Sequence, residues 1–65
     1  MEKMYRLKYQ GKWMKVIRMT GTYIYELHDN PDEVESVRLK KVQAMRALAS
    51  DDNNLNINEI EIVEV

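Results

Sequence analysis

Tyr5-Arg6-Leu7-Lys8-Tyr9-Gln10-Gly11-Lys12-Trp13-Met14-Lys15-Val16-Ile17-Arg18-Met19-Thr20-Gly21-Thr22-Tyr23-Ile24-Tyr25-Glu26-Leu27-His28 is the stretch that decides the fold. Short turns at Gln10-Gly11 and Thr20-Gly21 separate three runs rich in tyrosine, isoleucine, valine and methionine, the pattern of a three-stranded antiparallel meander. If both loops have two residues, Tyr9 lies opposite Lys12, Leu7 opposite Met14 and Tyr5 opposite Val16. Beyond the second turn, Val16 lies opposite Tyr25 and Met14 opposite Leu27. Directly opposed residues share a face. One face therefore collects Tyr5, Leu7, Met14, Val16, Tyr23, Tyr25 and Leu27, and the other collects Arg6, Lys8, Lys15, Glu26 and His28. A one-residue slip would invert a whole strand, so the agreement of three segments identifies the first face as the core.

Downstream, Asn30-Pro31-Asp32-Glu33 supplies an N-cap side chain, a proline at the first helical position and an acid at N3, so a helix is expected to begin at Pro31. Continued unbroken to Ala49, its apolar stripe would hold Val34, Val37, Met45, Leu48 and Ala49, with Arg38 and Lys41 in its middle. The favoured reading is a helical segment broken near Arg38: a short first helix, an irregular Val37-Arg38-Leu39 step that turns Leu39 inward, and a second helix from about Lys40 to Ala49. A continuous helix is the alternative, with both long side chains snorkelling to the rim. Ser50 to Asn54 reads as a polar loop. Asn56 to Val65 reads as a final strand joining the sheet, with Ile60 and Ile62 on one face and Glu59, Glu61 and Val63 on the other. That strand is expected to return parallel to the third, beside strand one or strand three. The expected architecture is α+β in the order β-β-β-α-α-β, one domain over residues 1–65, with a helical layer on one antiparallel-rich mixed sheet.

A chain of 65 residues has a marginal core, and with no cysteine to form disulfides or a thiolate zinc site, oligomerisation is the remaining common support. The cysteine count fits a reducing cytoplasm. No apolar run approaches the ~20 residues needed to cross a bilayer, and the start lacks a signal peptide's apolar segment. The formal net charge is −1, yet Lys3, Arg6, Lys8, Lys12, Lys15 and Arg18 fall in the first part of the chain, and Asp51, Asp52, Glu59, Glu61 and Glu64 close it. Either the halves neutralise each other on folding or the basic half meets an anionic partner.

The succession Tyr5-Arg6-Leu7-Lys8, Gly11-Lys12-Trp13-Met14, a third strand, Asp32-Glu33 opening a helical stretch, Leu39-Lys40, an alanine-containing helix and Glu61-Ile62-Val63-Glu64-Val65 resembles the short proteins of unknown function carried by phages of Gram-positive bacteria. The resemblance covers nearly the whole chain. It implies an accessory role, such as modulating a host enzyme or defence system, in the cytoplasm of a bacterial host, and it supplies no site residues.

Catalysis needs a nucleophile with its base, a carboxylate pair in a cleft, or a metal cluster. His28 is the single histidine, and although Asp29 follows it, adjacent strand-end residues point apart. Asp29 and Asp32 suit turn and helix capping better than metal binding. The two glycines, Gly11 and Gly21, are used in the hairpins, which leaves no phosphate loop. A non-enzymatic protein without cofactor or metal is expected. The candidate binding face is the outer one, with rows Met4, Ile17 and Ile24; then Arg6, Lys15 and Glu26; then Lys8, Trp13 and His28, with Met19 near the far turn. As a protein surface it would bind a second copy in a homodimer, or a host or phage protein, through its apolar row. As a nucleic-acid surface, Trp13 would stack a base while Arg6, Lys8 and Lys15 met phosphates. Glu26 interrupts that basic footprint, and Glu59 and Glu61 would border it, so protein binding is preferred. The plain alternative is a mixed outer face with no partner.

Overall fold

The computed structural model describes residues 2–65. Strands β1 (Tyr5–Tyr9), β2 (Lys12–Met19) and β3 (Thr22–His28) form the meander, and β4 (Ile60–Glu64) pairs with β1. The sheet order is β3-β2-β1-β4, with every neighbour antiparallel. Both hairpin turns carry positive φ at their central residues, Gln10 (53°) with Gly11 (76°) and Thr20 (29°) with Gly21 (82°). That is the signature of turns whose twist matches the flanking strands. The register follows: Leu7 pairs with Met14, Met14 with Leu27, and Val16 with Tyr25.

One helix, α1 (Leu39–Asn53), covers the inner face. Leu7, Tyr9 and Met14 of the sheet are buried with Val37, Val42, Ala49 and Ile60, and Tyr5, Val16, Tyr25, Leu27, Met45, Leu55 and Ile62 pack around them. Tyr9 meets Tyr25 edge-on, with ring centroids 5.9 Å apart. The face expected to be core is the core, except that Tyr23 stays outside this cluster and is only half-buried.

The helical region differs from expectation. Asn30 caps as foreseen, accepting a hydrogen bond from the Asp32 amide, but the helix it starts is a single 3-10 turn, Pro31–Glu33. Val34 is already extended (φ −116°, ψ 120°), and Val37 makes a two-bond bridge with Tyr5 (2.7 and 2.8 Å). Neither a first helix nor a continuous one exists, because a β-bridge to β1 takes the backbone groups a helix would need. The break falls near Arg38 as expected, yet Val37 turns inward there, and Leu39 remains 43% exposed. The helix also runs one turn past Ala49, since its terminator is Asn54 in the left-handed conformation (φ 54°) rather than Ser50. Ser50 instead donates its hydroxyl to the Leu55 carbonyl. Residues Ile57–Glu59 form another 3-10 turn, so β4 begins only at Ile60.

β4 lies beside β1, one of the two expected places, and Glu61 faces Lys8 across the ladder. Its direction is a correction: it runs opposite to β3, so the sheet is not mixed. A single helical crossover would have returned the chain to the start of β3. Here the return is made before the helix begins. Glu33 contacts His28, and Val34 accepts from Arg6, both on the outer face; Val37 then lies in the sheet beside Tyr5, and α1 is on the inner face. The segment thus descends the outer face and passes between β1 and β2 at their open end. The helix and the Asn54–Glu59 stretch carry the chain back to the hairpin end of β1, where Ile60 pairs with Tyr9. No closed loop is threaded, because β1 and β2 join only at the opposite end.

Side chains of α1 reach both borders of the sheet. Asp52 accepts from the Tyr23 amide (2.8 Å) and Asn53 donates to the Tyr23 carbonyl (3.0 Å) on β3. On β4, Arg46 donates to the Ile60 carbonyl (2.7 Å).

Candidate functional site

The outer face is only partly the surface the register suggested. Ile17 and Ile24 are direct cross-strand partners, and Lys15 and Glu26 lie opposite each other beside them. Ile17 is half-buried, Lys15 and Glu26 are exposed, and Met19 (50%) and Ile24 (36%) extend the apolar group toward the Thr20-Gly21 turn. Met4 does not join them. The β1–β2 ladder stops at Leu7 and Met14, so the expected pairs Tyr5 with Val16, Arg6 with Lys15 and Met4 with Ile17 are not made. The passing segment separates the strands there, and the Met4 carbonyl accepts from Val65 on the β4 side instead.

Of the groups assigned to nucleic acid, Arg6, Lys8 and Trp13 are engaged within the chain, whereas Lys15 is not. Arg6 donates Nε to the Val34 carbonyl (2.7 Å). The Lys8 ammonium sits 5.1 Å from the centroid of the half-buried Trp13 ring, a cation–π contact on the surface a base would use. Glu26 Oε1 lies 3.2 Å from His28 Nε2, and Glu33 Oε2 lies 2.6 Å from His28 Nδ1. These two hydrogen bonds, that to Glu33 first, hold the His28 pKa above its ordinary 6.5. Only the doubly protonated ring can donate to both carboxylates. Among the described residues there is no group of three or more histidine and acidic side chains suited to a metal ion, and no helix is long and apolar enough to cross a membrane.

The separation of β1 from β2 opens a cleft of about 260 Å³ that sequence reasoning did not anticipate. Lys15, Val16, Arg18 and Tyr23 form its sheet wall, Val34, Glu35 and Val37 the opposite wall, and Lys41 and Met45 of α1 complete it. Backbone alternation makes its sheet wall unusual. Tyr5 turns its N–H and C=O toward Val37, so Leu7 and Tyr9 turn theirs toward β2, where Met14 and Lys12 meet them. Continuing along β2, Val16 and Arg18 turn theirs into the fork. Tyr23, opposite Arg18, must then face away from β2, and that is where Asp52 and Asn53 bond it. Among the described residues no backbone group pairs with Val16 or Arg18 in the fork. The only sequence signal is diffuse: Val34 and Val37, β-branched residues in what otherwise reads as a helix start.

Comparison of the chain with protein-family models, with curated proteins and with solved structures finds no match in any of the three.

Proposed function

We propose that the chain is a small non-enzymatic interaction protein that acts by binding another protein, in the accessory, host-modulating role implied by its resemblance to short phage proteins. The observation that carries this reading is the Ile17–Ile24 pair with Met19 beside it, on the side of the sheet opposite α1. Such an apolar group next to exposed residues of opposite charge, Lys15 and Glu26, suits a small protein interface. A second copy of the chain is the first partner to consider. Two-fold symmetry would bring Ile17 and Ile24 against their own copies, and each such side chain contributes about 1.5 to 3 kcal/mol when fully buried.

Two measurements test the reading. Sedimentation equilibrium should show mass rising with concentration for the wild type and a monomer for Ile24→Lys. A photoreactive residue at position 24, introduced in cells of a Gram-positive host, should crosslink a second copy or one host protein, whereas the same group at the exposed position 44 of α1 should not. A chain that remains monomeric at hundreds of micromolar and gives no crosslink specific to position 24 overturns the proposal. Retention of single-stranded DNA or RNA at physiological salt would support the nucleic-acid alternative instead.

A further inference from the structure

The β2 side of the fork is a strand edge set inside the molecule. Val16 and Arg18 present donors and acceptors at strand spacing, and Tyr5, which would have taken the Val16 groups, is bonded to Val37. The fork cannot close by itself. Two backbone bonds hold Val37 on Tyr5, and Arg6 holds the Val34 carbonyl. Around the cleft stand Lys15, Arg18 and Lys41, none of which makes an ion pair among the described residues, against the single acid Glu35. Between them lie the apolar groups of Val16, Val34, Val37 and Met45 and the Tyr23 ring.

We propose that this fork is a recognition site for an extended acidic segment of a partner protein. The segment adds a short strand to β2 through Val16 and Arg18, lays its apolar side chains on the inner face between Val16, Val37 and Met45, and turns its alternate carboxylates to the other face beside Lys15, with the long Arg18 and Lys41 side chains adding to the positive field around the cleft. Three features select this occupant. A free carboxylate or phosphate only accepts hydrogen bonds and would leave both carbonyls unmatched, whereas an extended backbone offers donors and acceptors in alternation. Three cations around one cleft repel one another, and acidic side chains relieve that repulsion. The cleft holds one large side chain with its flanking backbone, and at about 3.3 Å per residue this corresponds to a pairing of roughly three residues. The site goes beyond the outer-face reading: Lys15 borders both surfaces, but the backbone groups of Val16 and Arg18 and the cations of Arg18 and Lys41 belong to the cleft and not to the outer face.

The test titrates the isotope-labelled full chain with the acetylated, amidated peptide Asp-Ile-Glu-Val-Asp, following amide shifts by NMR and affinity by anisotropy of a dye-labelled copy. Shifts should centre on the Val16 and Arg18 amides. Methylating one of the peptide nitrogens that pair should weaken binding about tenfold, the equivalent of one lost hydrogen bond. Lys15→Glu and Lys41→Glu should each weaken it, while Lys40→Glu, with the same net charge but outside the cleft, should not. Amide spectra unchanged away from the site establish that each variant is folded. Absence of shifts at Val16 and Arg18 overturns the proposal. So does binding that ignores N-methylation and falls equally with Lys40→Glu, which would be charge attraction alone. Shifts at Val16 and Arg18 with sodium octanoate, but none with the peptide, would replace the peptide site by one for a small amphipathic anion. Failure of the peptide beside a specific crosslink from position 24 would remove this site and leave the proposed function intact.

Discussion

His28 binds two acidic neighbours, one on its own strand and one on the 3-10 turn that leads into the outer-face segment. Its pKa is raised by folding, so protonation favours the folded chain. The stabilisation is complete below the unfolded value near 6.5 and is lost as pH rises through the higher folded value. The urea midpoint of the wild type should therefore fall between about pH 6 and pH 9, and that of His28→Gln should be flatter over the same window. Equal slopes would mean that the clamp contributes nothing. Thr20 presents a different strain: a β-branched residue at φ 29° in a turn that favours asparagine. Thr20→Asn should stabilise the fold by about 1 kcal/mol, read as a higher urea midpoint at unchanged slope.

At the scale of elements, the fork makes a prediction that regular pairing would not. Lys15 and Ile17 turn their amides toward β3, whereas Val16 and Arg18 turn theirs into the cleft. Hydrogen exchange should be slow at Lys15 and Ile17 and fast at Val16 and Arg18, although all four lie within one strand, and the Tyr5 and Val37 amides should be protected as a pair. Uniform protection along β2 would mean that the strands close. The same contrast explains what the sequence disclosed. The Leu7–Met14–Leu27 line was legible because two glycine-bearing turns fix a register that alternation then confirms. The bridge of Val37 to Tyr5 was not, since one residue pairing with a strand 32 positions away has no periodicity to detect. Two errors followed from missing it: the expected first helix, and Met4 placed in a row with Ile17. The direction of β4 failed for a related reason, because the chain crosses the molecule twice between β3 and β4, and hydropathy does not record how often a connection crosses. Of the candidate binding face, the Ile17–Ile24 and Lys15–Glu26 pairs could be read from the turns. The cleft could not, for it exists only where two strands part.

For the molecule as a whole, stability and colloidal behaviour are tied to one element. The side chains that bond the two borders of the sheet, Asp52 and Asn53 at Tyr23 and Arg46 at Ile60, all belong to α1. Fraying of the helix would release both borders together, each offering backbone groups beside strongly β-forming sequence, Tyr23-Ile24-Tyr25 and Ile60-Glu61-Ile62. Ala47→Gly, at an exposed helical position, should cost about 1 kcal/mol in urea unfolding. Its effect on clouding should be out of proportion, with light scattering and amyloid-dye fluorescence rising well below the wild type's melting temperature. A substitution of comparable cost that leaves the helix intact, such as Val63→Ala in β4, should not shorten shelf life in the same way. Because one helix bonds both edges, a frayed molecule can add a neighbour on either side, so a small loss of helix gives growing chains rather than pairs.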